Sequence, residues 1–155
     1  MTTSITETLL PTITAGLAGC YTQALDDINK GDIIFEENFI HRESMGDPVI
    51  DEGILKAAAY KKITGLANAS MYALITGGCV GFIAGEKAGV ITGSIMGSFA
   101  VVKGCTHLTR AQIITGALLG VLANHQDLEI IDTIEQSSIR LRESRLAQQA
   151  EARSS

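Results

Sequence analysis

The sequence predicts an all-α, membrane-associated chain built around a helical hairpin that packs through glycine. Three observations carry that expectation. The stretch GGCVGFIAGEKAGVITGSIMG, residues 77 to 97, places glycine at Gly77, Gly81, Gly85, Gly89, Gly93 and Gly97, every fourth position. Residues 63 to 85 are free of charge, and Glu86 and Lys87 are the only charged residues between 63 and 102. The chain is 19% charged, below the roughly 25% of an ordinary soluble domain, and its mean hydropathy is positive. With 155 residues it is long enough to bury a core without disulfides or metal staples.

In chain order, residues 1 to 28 predict an apolar N-terminal helix. TLLPTITAGLAGCYTQAL (8 to 25) lacks charge, and Ile13, Leu17, Cys20 or Tyr21, and Leu25 recur at helical spacing, with Pro11 tolerable in a first turn. No basic residue precedes Lys30, so a secretory signal is not expected. Residues 29 to 53 mix acids, glycines and the second proline, Pro48, and read as an acidic polar connector with a short strand or turn near DIIF.

Residues 54 to 125 predict the hairpin and a third apolar helix. Asp51 is the candidate N-cap. The charge-free run 63 to 85 covers about 34 Å at ~1.5 Å per residue, enough for a hydrocarbon core of about 30 Å. Residues 88 to 102 cover only about 22 Å and require Lys87 and Lys103 to snorkel. The third run, 111 to 124, is shorter still and fits an interfacial or core helix. Residues 126 to 155 place charges of both signs around Ile130, Ile131, Ile134 and Leu141, the pattern of a polar, amphipathic C-terminal helix available to a protein partner.

The glycines need a physical reason, because each costs a helix interior about 1 kcal/mol relative to alanine. A row of small residues at i, i+4 offsets this by letting another backbone approach closely. Such a row drifts about 40° per step on a straight helix, so one unbroken helix would smear it. A break at Glu86 and Lys87 makes two coherent faces, Gly77, Gly81 and Gly85 against Gly89, Gly93 and Gly97. Gly116 and Gly120 repeat the spacing in the third run and are expected at contacts between subunits.

This G-x-x-x-G-x-x-x-G pattern resembles that of the glycine-zipper membrane proteins, over about 50 residues from Gly65 to Gly120. The resemblance implies a packing mode, shared by pore-forming toxins and small channel or translocase subunits, and a homo-oligomer in a lipid bilayer. Four apolar runs with a connector after the first also resemble the translocase-channel family of mitochondria and plastids, although that family's arginine-containing glycine signature is missing here. A soluble helical bundle uses small-residue stripes too, and Asn68, Ser70, Thr76, Thr92 and Ser94 keep these spans only moderately apolar.

Enzymatic chemistry is not expected. Neither G-x-x-x-x-G-K-[ST] nor G-x-G-x-x-G occurs, and no nucleophile–base pair has a telling spacing. No cofactor is implied. A metal would have to use the connector, where Glu36, Glu37, His41, Glu43 and Asp47 are candidates, with Glu37, His41 and Glu43 the foremost; such acids are ordinarily solvated. His107 and His125 flank the third run. Cys20, Cys79 and Cys105 have no metal-like or C-x-x-C spacing and are expected as buried, reduced thiols. With a net charge of −5 and no isolated basic stripe, nucleic acid is not expected as a partner. Lys56, Lys61, Lys62, Lys103 and Arg110, outside both ends of the hairpin, predict cytoplasmic flanks with Glu86 and Lys87 on the far side.

Overall fold

The computed structural model describes residues 2–42 and 46–154, with backbone alone for residues 2 to 8. Among these the chain is helical, without strands: α1 (Thr2–Phe35), a π-helical turn (Glu36–Ile40), α2 (Pro48–Ala84), α3 (Glu86–Cys105), α4 (Arg110–Leu122) and α5 (His125–Ser154). Two of these, α2 and α3, are long and apolar enough to span a membrane. The chain forms two compact units, Met1–Asp27 with Gly65–Thr106, and Ile28–Thr64 with His107–Ser155.

The first helix outruns its predicted end. It continues through DIIF, where a strand or turn was expected, and its last residues widen into the π turn closed by the His41 amide on the Glu36 carbonyl at 2.9 Å. Residues 29 to 40 are therefore helix rather than connector. Their acids do not mark a solvated loop, because several are paired with cations from elsewhere in the second unit, as described below. The start of α2 is also earlier than expected. Asp47, not Asp51, caps it, its carboxylate accepting from the Val49 amide at 2.8 Å, with Pro48 in the first helical position where its missing N–H costs nothing.

In the first unit, the core is made of small side chains around one aromatic ring. Tyr21, Ala24, Ala69, Ala73 and Ala100 are buried, with Leu25, Leu66, Tyr72 and Met96 packed against them. Alanines at Ala73 and Ala69 continue the glycine row one and two turns upstream, and the Ala73 carbonyl approaches Gly93 of α3. The Tyr21 hydroxyl donates to the Met96 carbonyl at 2.7 Å, satisfying the one polar atom of the buried ring. Gly104 lies under Leu66, and a Cβ there would come within 2.9 Å of the leucine Cβ.

The break between α2 and α3 falls at Gly85, one residue before the Glu86–Lys87 pair. Gly85 has φ +96° and ψ 155°, a region essentially closed to residues with a Cβ. Space is not the issue, since no atom lies within 4 Å of where that Cβ would sit. Gly85→Ala should therefore lower thermal stability by about 1–3 kcal/mol through backbone strain alone. Unchanged thermal unfolding of that variant would contradict the turn geometry. Glu86 opens α3 and Lys103 closes it, each on the side of the helix dipole that favours its charge.

In the second unit, a separate apolar cluster of Ile34, Ile54 and Ala58, with Phe35, Phe39 and Ile134 packed on it, joins α1, α2 and α5. The α3–α4 turn is made by His107 at φ 63°, whose ring stacks on Phe35 with centroids 5.8 Å apart. Thr109 then caps α4 in a reciprocal box with Gln112: the Thr109 hydroxyl accepts from the Gln112 amide at 3.4 Å and the Gln112 side chain accepts from the Thr109 amide at 2.8 Å.

Candidate assembly surface on the glycine hairpin

The glycine row does bring two backbones together, but not at every position. A Cβ on Gly77 would lie 2.9 Å from the Gly89 carbonyl oxygen and 3.0 Å from the Gly93 Cα. One on Gly89 would overlap the Gly77 carbonyl and lie 2.6 Å from the Gly81 Cα. Gly93 is looser, with the Ala73 carbonyl at 3.3 Å, and Gly81 has ordinary contact at 3.6 Å. The tightest crossing is thus Gly77 with Gly89, and Gly77 and Gly89 are both buried.

Gly85 serves the turn, and Gly97 meets nothing within 4 Å, so α2 does not use it. The reason is registration. The helices cross near Gly77, and further along α3 it is Ala100 and Gly104, rather than Gly97, that turn inward. Gly116 departs from expectation in the opposite sense. Predicted at a subunit contact, it is buried within the chain's own second unit, where its Cβ would lie 2.6 Å from the Ala59 carbonyl and 2.9 Å from Ile63. Gly120 stands beside Thr64, 3.3 Å away by the same measure, and is otherwise exposed.

The outer surface of the hairpin carries many large apolar side chains. Leu74, Phe82, Val90, Ile95 and Val102 are 75%, 83%, 61%, 65% and 70% exposed. Only 22% and 17% of the most apolar 18-residue stretches of α2 and α3 are buried. A core helix of a soluble protein would hide most of that surface. Along one side runs an open groove of about 570 Å³, floored by Gly77, Gly78, Gly81, Gly89 and Gly93 and walled by Leu74, Phe82 and Val90. Gly78, on its floor, has no atom within 4 Å of a Cβ position. Glu86 and Lys87 at the tip are exposed.

The candidate metal ligands are not gathered. Glu37 is buried and held by the Arg145 guanidinium, His41 is exposed, and Glu43 lies outside the described residues. Among the described residues no three His, Cys, Asp or Glu side chains are placed to share an ion. The thiols also differ from expectation: Cys20 is exposed on α1, whereas Cys79 and Cys105 are half-buried.

Sequence reasoning missed the charged pairs of the second unit. Lys62, 1% exposed, lies against Asp32, with its stem over Gly31. Lys61 holds Asp132 at 3.1 Å and is in ion-pair contact with Glu135 at 2.5 Å, and Lys30 reaches Glu135 at 3.6 Å. Arg145 grips Glu37 with two hydrogen bonds of 3.0 and 2.6 Å, and that guanidinium keeps the Glu37 carboxyl below its ordinary range. The partners are 30 to 108 residues apart, beyond any local pattern. Comparison of the chain with protein families, with characterised proteins and with solved structures gave no match.

Proposed function

We propose that this chain is a non-enzymatic helical membrane protein that assembles with copies of itself, as a pore or channel subunit, a membrane-remodelling factor or a membrane anchor. The observation that carries the reading is the exposed apolar surface of the α2–α3 hairpin. Leu74, Phe82, Val90 and Ile95 face outward while Gly77, Gly89, Ala69, Ala73 and Ala100 face inward, the reverse of a soluble bundle and the arrangement in which lipid takes the place of a protein core. Both flanks, with Lys56, Lys103 and Arg110, would face the cytoplasm.

Assembly would use the small positions the hairpin leaves open, Gly78 in the groove and Gly97 on α3. Gly116 is removed from that role by its contact with Ala59. The second reading, a soluble assembly module in which another copy covers the same apolar faces, is favoured by the polar second unit and its ion pairs. One experiment separates the two. The full chain is expressed, membranes are fractionated, and oligomer size is measured for wild type, Gly78→Ala and Gly97→Ala. Recovery in membranes, with smaller oligomers for the alanine variants, is the expected result. Intact protein in the soluble fraction without detergent would replace the membrane reading with the second one. Within a lone protomer the two alanines would instead stabilise their helices by about 0.5–1 kcal/mol without changing size, and that outcome would remove the assembly surface.

A further inference from the structure

We propose that α5 is a releasable clamp, seated on the second unit by charge and uncovering an apolar patch when those charges are neutralised. Its buried residues are Ile131, Glu135 and Ser138, so two of the three are polar. The seat has three levels along one face of the helix. At the first, Lys61 of α2 and Lys30 of α1 converge on Glu135, with Asp132 sharing Lys61. At the second, the Asn38 amide of the π turn donates to the Ser138 hydroxyl at 2.9 Å. At the third, Arg145 forks onto Glu37 of the same turn. From Asp132 to Arg145 this covers about 20 Å of helix.

The apolar part of the seat is short. Ile131 is buried, and Ile134 lies half-buried on the cluster of Ile34, Ile54 and Ala58. By contrast α1 and α2 carry Ile28, Ile34, Ala57, Ala58 and Ala59 at zero exposure. Salt leaves an apolar seam no weaker, whereas it weakens ion pairs whose members reach solvent, as Lys30, Asp132 and Arg145 do, and the two buried carboxylates draw nearly as much cost from desolvation as gain from pairing. The seat is thus the part of the second unit poised to open first. Protonation works in the same direction. Around Glu37 stand Arg145 and Arg142 of α5 and His41 after the π turn; around Glu135 stand Lys30 of α1, Lys61 of α2 and Asp132 of α5. Neutralising the carboxylates leaves Lys30 and Lys61 on one side of the seat, and Arg142 and Arg145 on the other, without their counter-charges. Departure of α5 withdraws Ile134 from Ile34, Ile54 and Ala58 and so opens that cluster.

Hydrogen exchange of the full chain, read by segment at low and high salt, tests the clamp. The expected result is that amides of α5 exchange together and at least about tenfold faster in high salt, while those around Ala57–Ala59 hold their rate. Glu37→Gln should reproduce the acceleration at low salt, and Glu37→Arg combined with Arg145→Glu should reverse it. Salt-independent exchange of α5, or equal acceleration of α2 and α5, overturns the proposal on the wild type alone. Failure of the charge swap to restore slow exchange in a folded variant overturns it independently.

Discussion

Leucine at Gly89 is expected to separate α2 from α3 and lower stability by at least about 3 kcal/mol, the upper end of what overpacking costs. A single Cβ at that position already overlaps the Gly77 carbonyl and comes within 2.6 Å of the Gly81 Cα. The obstructing atoms are backbone, so no rotamer change relieves them; one helix must move. The same geometry orders the milder alanine series. Gly89→Ala should be worst, then Gly77→Ala, then Gly93→Ala, with Gly81→Ala stabilising by up to about 0.5–1 kcal/mol because its new methyl meets nothing nearer than 3.6 Å. Ile95→Leu, on the exposed side of α3, is the control and should change stability by less than about 1.5 kcal/mol. Thermal unfolding of the set under one condition reads the order directly. A Gly89→Leu protein as stable as Ile95→Leu would mean that the two helices do not cross at these glycines.

Arg145→Met is the second large effect. It leaves the buried Glu37 carboxylate without the guanidinium that holds it, and stability should fall clearly below that of wild type, though by less than for a fully enclosed pair because Arg145 itself is partly exposed. The pH dependence gives the signature. In the wild type the Glu37 carboxyl lies below its ordinary value near 4.5, chiefly through the Arg145 hydrogen bonds. Its contribution is complete above that value and is lost as pH falls through the lower, folded one. In Arg145→Met the hydrogen bonds that chiefly lower the carboxyl are gone, while burial still opposes its charge and only Arg142 and His41 remain to favour it, so the deficit against wild type is largest at neutral pH and shrinks in acid. Denaturant titrations across pH would show the two curves converging as pH falls through the lowered folded-state value of the Glu37 carboxyl. A pH-independent deficit would mean that Arg145 acts through packing of its stem rather than through Glu37.

Much of the first unit could be read from the chain because its information is local. Period-four glycine, a charge-free run and the GEKAG interruption specify two helices, a turn and the face they share within residues 63 to 97. What periodicity does not carry is the crossing point, which decides that Gly89 is crowded and Gly97 is not. The second unit was misread for a different reason. FEENFIHRE has the composition of a solvated loop, and composition is blind to whether an acid faces water or an arginine 108 residues away. Gly116 misled in the same way: the spacing announces close approach by a backbone, and that backbone turned out to be Ala59 of its own chain.

The position of Tyr21 has a consequence for how such a hairpin would be held in a bilayer on the proposed reading. Helices that cross membranes are commonly fixed in depth by tryptophan and tyrosine rings resting among the headgroups. This chain has no tryptophan, and of its three tyrosines Tyr21 is buried with its hydroxyl given to Met96, while Tyr72 packs in the same alanine core and Tyr60 is half-buried in α2. None stands on α3. Depth is then left to the ammonium and guanidinium groups at Lys56, Lys103 and Arg110, whose long stems adjust over several ångströms. A hairpin with flexible moorings and no rigid ones follows the thickness of the surrounding lipid instead of imposing its own, and α3, with only residues 88 to 102 between its charges, would settle most readily where the bilayer is thin.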